Sequence, residues 1–171
     1  MRKVVLYIAC TLDGYIASDD DQLDFLKSFE HSQKISKHIE SFMESVDTVI
    51  MGRVTYDFIK AFDPWPYSKM TSFVVSHQKI KDERILLTND PIQTIIQQKQ
   101  MIGKDIWVLG GGLLIQSLLN KNLIDEFIIA ITPTLLGSGK RLFNPLDQHI
   151  ELTFEKSEII DGLPILTWTK R

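Results

Sequence analysis

Asp105-Ile106-Trp107-Val108-Leu109-Gly110-Gly111-Gly112-Leu113-Leu114-Ile115 decides how the rest of this chain is read. Ile106 to Leu109 are apolar without polar alternation, the pattern of a strand buried on both faces. Gly110, Gly111 and Gly112 follow at once, and Leu113, Leu114, Leu118 and Leu119 then recur at helical spacing. A buried strand that runs through bare backbone into a helix start is a place where phosphate can sit. The first helical turn offers unpaired N–H groups and partial positive charge. A tight strand-to-helix turn needs one glycine for its positive φ, whereas a run of them points to something packed closely on the backbone.

The spacing excludes two familiar phosphate motifs. A dinucleotide fingerprint needs a third glycine where Ile115 stands after Gly110 and Gly112. The later Gly137-Ser138-Gly139-Lys140-Arg141 has Thr134 where a phosphate loop begins with glycine, and Arg141 where a Ser or Thr would hold magnesium.

Outward from this stretch, strands and helices alternate. Val4 to Ala9 reads as a first strand, and Asp13-Gly14 as a turn before the short return through Ala17. From Ser32, apolar Ile35, Ile39, Phe42, Met43 and Val46 predict a helix with one buried face. Thr48 to Met51 is a buried strand ended by Gly52, followed by a short helix from Arg53 to about Phe62. Asp63-Pro64-Trp65-Pro66-Tyr67 cannot be regular, because its prolines remove donors and restrict their neighbours. Ser72 to Val75 and Ile85 to Leu87 are further strands. Asp90 then caps a helix opened by Pro91, with Gln93 placed for a capping box and Gly103 as its end. Asp125 to Thr132 is a long strand, Pro133 to Gly139 a loop, and Asp161-Gly162 a hairpin turn between strands at about 152–160 and 163–169. The order predicts an α/β fold with a mostly parallel sheet covered on both faces and a C-terminal antiparallel hairpin at one edge.

Composition bounds the function. The chain has 171 residues, 44% apolar and 24% charged, as expected of a single globular domain spanning 1–171. A net charge of −3 without a basic run gives no case for nucleic acid or an anionic membrane surface. No segment is apolar for long enough to span a membrane, and the N-terminal apolar run is too short for a signal peptide. A lone cysteine, Cys10, reads as a buried filler and agrees with a reducing cytoplasm. The four histidines are scattered, so no metal site is expected.

Ligands of such sheets bind beyond the carboxyl ends of the strands, where Ala9 to Ala17, Gly52-Arg53-Val54-Thr55, Ser76-His77 and Gly110-Gly111-Gly112 all fall. Arg53 and Thr55 at a helix start suit a phosphate; equally, they read as a surface arginine and a capping threonine. Ser76, His77 and Lys79 form either a second phosphate pocket or a polar turn.

Four motifs occur in order: Thr11-Leu12-Asp13-Gly14-Tyr15-Ile16-Ala17, Met51-Gly52-Arg53-Val54-Thr55-Tyr56, Val108-Leu109-Gly110-Gly111-Gly112, and Leu123 to Glu126 through Pro133 to Gly139 with Leu142-Phe143. Together they resemble the dihydrofolate-reductase-like superfamily. The likeness is greatest to small stand-alone relatives of the reductase domain of bifunctional riboflavin-biosynthesis deaminase/reductases, and it covers about Lys3 to Thr169. The resemblance implies a three-layer α/β/α fold around an eight-stranded, mainly parallel sheet. It also implies a homodimer and an NADPH-dependent reductase of a pterin-like or ribosylaminopyrimidine-type small molecule. By resemblance Arg53 binds the adenosine 2′-phosphate, Thr55 the pyrophosphate, and Ser76 and His77 the adenosine phosphate. Gly110–Gly111 would be a cis bond with the Gly111 and Gly112 amides near the pyrophosphate, and Ala9, Ile16 and Ala17 would line the nicotinamide. Gly52, Leu109 and Leu113 complete the implied cofactor set.

The chain departs from the pattern twice. Dihydrofolate reductases carry an acid on the first long helix; Glu40 and Glu44 do not align with it, which leaves Asp24 and Asp13 as catalytic candidates, with Asp57 behind them. Asp13 also reads as a cap of its own turn. Riboflavin-pathway reductases continue after the arginine motif with an Asn-Pro…Leu-Thr…Arg segment, where this chain has Phe62-Asp63-Pro64-Trp65-Pro66-Tyr67. Trp65 there would be a substrate lid or an interface anchor. The match thus supports NADPH more than either substrate, and a nucleotide-binding module without chemistry is the alternative.

Overall fold

The strand-forming runs are long in β-branched and large apolar residues and stop at glycine or turn chemistry, which is why they pair as they do. The computed structural model describes all residues from Met1 to Arg171. In chain order the elements are β1 (Val4–Thr11), β2 (Tyr15–Ala17), a 3-10 helix (Asp24–Phe29), α1 (Gln33–Ser45), β3 (Val46–Gly52), α2 (Arg53–Ile59), β4 (Thr71–Val75) and β5 (Leu86–Thr88). They continue with α3 (Pro91–Gln100), β6 (Asp105–Gly110), α4 (Gly112–Asn120), β7 (Glu126–Thr132), β8 (Lys140–Arg141), β9 (Leu152–Ile160) and β10 (Leu163–Lys170).

An eight-stranded sheet runs in the order β5-β4-β3-β6-β1-β7-β10-β9. The first six are parallel; β10 is antiparallel to β7, and β9 to β10. Alternation along each strand divides the core in two. Val4, Leu6, Ile106, Val108, Phe127 and Ile129 face α3 and α4, where Ile95, Ile115 and Leu118 meet them. Tyr7, Val49, Met51 and Trp107 face the other layer, with Phe42 of α1 and Tyr56 of α2. The mostly parallel α/β architecture read from the sequence is the one observed.

Cys10 sits in the first of these cores, and burial pushes its thiol up to about 11. At the sheet's amino end, buried Arg2 pairs with Asp47 and bonds the Lys104 carbonyl and Thr48 Oγ1.

Several local expectations are corrected. Helix α2 ends at Ile59, short of Phe62. Asp90 accepts from the Gln93 amide at 3.0 Å, but its own N–H donates to Thr88 Oγ1, so the capping box is only half made. Gly103 does not end α3, whose last residue is Gln100. A Cβ on Gly103 would stand 2.6 Å from Asp47 Oδ2, so its place is dictated by packing on the Arg2–Asp47 pair. The loop after β7 contains β8, which pairs with β2 as a separate two-stranded sheet. Gly139 is needed there: at φ 144° its Cβ would lie 2.2 Å from the Ala17 carbonyl oxygen.

Candidate functional site

Parallel pairing carries Gly52, Val75 and Gly110 to the same sheet edge, with β3 and β6 adjacent. The β3–β6 register slips between Ile50 and Met51, where Val108 and then Gly110 are the partners. This leaves Leu109 as an extra residue in β6, a bulge at the point where the strand enters the glycine turn. Gly110 (φ 149°) and Gly111 (φ 96°) make that turn with positive φ. The one cis peptide is Asp63–Pro64, so the expected cis Gly110–Gly111 bond is corrected: two left-handed glycines turn the chain without it.

The glycines of the two strands face each other. A Cβ on Gly52 would be 3.6 Å from the Gly110 oxygen, and one on Gly111 would be 3.5 Å from Gly52 Cα. Gly112 differs from its neighbours. Its Cβ would meet the Arg141 carbonyl oxygen at 2.7 Å, so the third glycine makes room for the β8 loop.

Helices α2 and α4 begin at this junction, with Gly52 and Gly111 as N-caps, and neither receives a side-chain cap. By contrast, α1 and α3 are capped by Ser32 and Asp90. The α2 and α4 termini therefore keep amides that no capping side chain engages, beside exposed Leu113.

Arg53 leans to the β4 side. Its Nε bonds Asp57 at 2.7 Å, and its Nη1 lies 3.5 Å from Gln78 Oε1. Ser76 closes the turn after β4, donating to the Gln78 carbonyl at 3.0 Å and accepting from its N–H at 3.1 Å; His77 is exposed. The structure thus brings Gly52, Arg53, Thr55, Ser76 and Gly110 to Gly112 to neighbouring strand ends. On the other side of β6, Ala9 is half-buried on β1, and Ile16 and buried Ala17 lie on β2.

The proposed acids are placed apart. Asp24 opens the 3-10 helix with a side chain 72% exposed, paired to Lys27 at 2.8 Å. Asp13 accepts from Thr11 Oγ1, the Gly137 N–H (2.7 Å) and the Leu136 N–H (3.1 Å). These bonds, the Thr11 hydroxyl foremost, hold its carboxyl at about 2, so it stays ionised and ties the turn after β1 to the loop after β7.

Trp65 is neither lid nor exposed anchor. It is 7% exposed and packs edge-on against Tyr67, with the Arg84 guanidinium 4.8 Å above its ring. Arg84 in turn pairs with Asp82, which also accepts from the Tyr56 hydroxyl at 2.7 Å; that guanidinium holds the Asp82 carboxyl far below its usual range. No local signal in the sequence joins Tyr56 and Trp65 to the Asp82–Arg84 pair, since these come from three separate segments.

Fold and site together define an α/β protein with a glycine junction at the carboxyl edge of a mostly parallel sheet, where neighbouring strands meet back to back. The chain belongs to the RibD C-terminal domain family, whose profile matches residues 2–162. It is 39% identical over 155 residues to the uncharacterized protein YwjB of Bacillus subtilis (strain 168), across 88% of each chain. Against YyaP of the same organism it is 29% identical over 165 residues, 88% of this chain and 85% of that one. Among solved structures, a protein from Shewanella sp. PV-4 described as a riboflavin biosynthesis protein matches with a TM-score of 0.82 and 32% identity, over 99% of both chains. Acinetobacter baumannii RibD shares the fold at a TM-score of 0.74 and 18% identity, and the chain spans 58% of its length.

Proposed function

We propose that the protein is an NADPH-dependent reductase that transfers hydride to a small heterocyclic substrate, pterin-like or ribosylaminopyrimidine-type. One observation carries the reading: Arg53 opens one of two helix N-termini that lack side-chain caps and that meet across a seam of facing glycines. That donor set fits a ligand with several phosphates. Amides of α2 and α4 would meet the pyrophosphate, with Thr55 beside them. The Arg53 guanidinium, with Ser76 and Gln78 at hand, would meet the adenosine 2′-phosphate. Ala9, Ile16 and Ala17 would wall the nicotinamide side. NADPH supplies the hydride when bound; the chain binds, orients and excludes water. The reading also expects a cytoplasmic homodimer. Its supports are the single buried cysteine, the absence of any helix long and apolar enough to cross a membrane, and the uncovered edge β9.

Titration of NADPH and NADH tests this directly. Arg53→Ala should weaken NADPH roughly tenfold, in keeping with a partly exposed charge-assisted contact. NADH should hardly change. Equal losses for both would remove the assignment, and turnover of dihydrofolate or the ribosylaminopyrimidinone would then choose the substrate.

The second reading, a nucleotide-binding module without chemistry, draws on the acids. Asp13 is held ionised by the loop it ties, and Asp24 is spent on a surface ion pair. NADPH oxidation with any pterin or pyrimidinone would exclude it.

A further inference from the structure

Arg53 is the first residue of α2, directly after the Gly52 N-cap, and the first turn of that helix carries no acid. A cation there faces the positive end of the helix dipole. Its partner Asp57 follows at i+4, the less favourable order for an ion pair along a helix. Helix stability therefore does not account for the pair.

The contacts point to another use. Asp57 engages both of its oxygens: Oδ2 accepts from Arg53 Nε at 2.7 Å, and Oδ1 accepts from Lys60 Nζ at 2.6 Å. A carboxylate bonded from two sides has little freedom to turn. It holds the guanidinium by Nε and leaves both Nη atoms outward. Nη1 lies 3.5 Å from Gln78 Oε1, the outer limit of a hydrogen bond, so the Nη edge is aimed at the turn that Ser76 closes on Gln78.

That turn belongs to a segment fixed against the same helix. The Tyr56 hydroxyl donates to Asp82 at 2.7 Å, and Arg84 Nη2 donates to the Lys60 carbonyl at 3.3 Å. Arg53 and Asp57 keep 37% and 36% of their side chains exposed, so water screens their charges. What the pair supplies is orientation: an arginine already held in one geometry gives up less rotamer freedom when it meets a ligand. Lys60 offsets the charge of Asp57, which leaves this flank net positive toward an anion.

We propose that Asp57 is a positioning residue, which presents the Nη edge of Arg53 to the adenosine 2′-phosphate and so sets the preference for NADPH over NADH. The proposal rests on the reductase reading, in which Arg53 meets that phosphate. Among the acids weighed from the sequence, Asp57 then serves the cofactor and not proton transfer.

Dissociation constants of NADPH and NADH, measured by calorimetry on the full chain, give a selectivity ratio that tests this. Asp57→Ala should lower the ratio about fivefold, the scale of one rotamer-rich side chain losing its preset geometry. Asp57→Glu, which keeps a carboxylate within reach of Nε, should retain most of it. In an Arg53→Ala background, Asp57→Ala should lower the ratio no further, because Asp57 acts through the arginine. An unchanged ratio in Asp57→Ala would make the pair merely structural, and a raised one would make Asp57 only a repulsive charge; either overturns the proposal. So would Asp57→Glu behaving as Asp57→Ala, or an Asp57→Ala effect that persists without Arg53. A readout free of cofactor is the Arg53 Nε–H signal in nitrogen-edited NMR spectra, identified by its loss in Arg53→Ala. It should be sharp in the wild type and lost to exchange in Asp57→Ala, and its persistence there would also overturn the proposal. Circular dichroism checks that the variants fold, which the exposure of both side chains favours. If Arg53→Ala itself leaves the ratio unchanged, the 2′-phosphate assignment falls and this proposal with it. A ratio that collapses in Arg53→Ala but holds in Asp57→Ala removes the positioning role alone.

Discussion

Asp13 joins two loops through one carboxylate, and the consequence is a pH dependence of known sign. Its folded value of about 2 lies below the ordinary 3.8, so the stabilisation it gives is complete above the ordinary value and is lost as pH falls through the folded one. Asp13→Asn should lower the melting temperature at pH 7, because an amide nitrogen cannot accept from the Gly137 N–H. Thermal scans from pH 7 to pH 2 should show the gap between the two proteins narrowing below pH 4. A constant gap would mean that the ion contributes nothing. The sequence marked Asp13 as either an acid or the cap of its turn; the partners at 136 and 137 lie too far along the chain for local pattern to reveal.

Elements of this fold are well marked in the sequence where their signals are local. The strand, glycine turn and helix at 105–120 were legible because buried strands and helices differ in period, and because a glycine N-cap contrasts with Ser32 and Asp90 elsewhere. The β2–β8 pair was not legible, since β8 is Lys140 and Arg141 alone and pairs with a segment far upstream. Nor could the sequence separate the roles of the glycines, for what excludes a Cβ at Gly112 is a distant carbonyl. Two substitutions test these elements. Gly139→Ala adds a Cβ into the Ala17 carbonyl at a positive φ, and should destabilise by roughly 2–4 kcal/mol in denaturant unfolding. Gly112→Ala should displace the β8 loop from Arg141 onward, read as amide exchange speeding at β8 while the sheet interior keeps its protection. Unaltered exchange there would show that the helix start moves instead.

At the scale of the whole molecule, the two ends of the parallel strands are built differently. The carboxyl edge at β3 and β6 is glycine, loop and two helix termini left without side-chain caps. At the amino edge Arg2 is buried, joining β1's start to Asp47, Thr48 and the Lys104 carbonyl. Arg2→Ala would leave Asp47 without its guanidinium, at a cost of roughly 2–4 kcal/mol given the partial exposure of the acid. Urea titration reads that loss, and a change under about 0.5 kcal/mol would place the ion pair among ordinary surface ones.

The lone thiol has a use of its own. Cys10 pairs in register with Ile131 between β1 and β7, near the sheet's middle, and it is 5% exposed. A disulfide reagent can reach it only when the layer over this face of the sheet lifts, so the rate of labelling times that opening, with no engineered tag and no competing site. Any ligand that holds the carboxyl edge together slows that clock, and the slowing measures its grip on the fold without any reaction being catalysed.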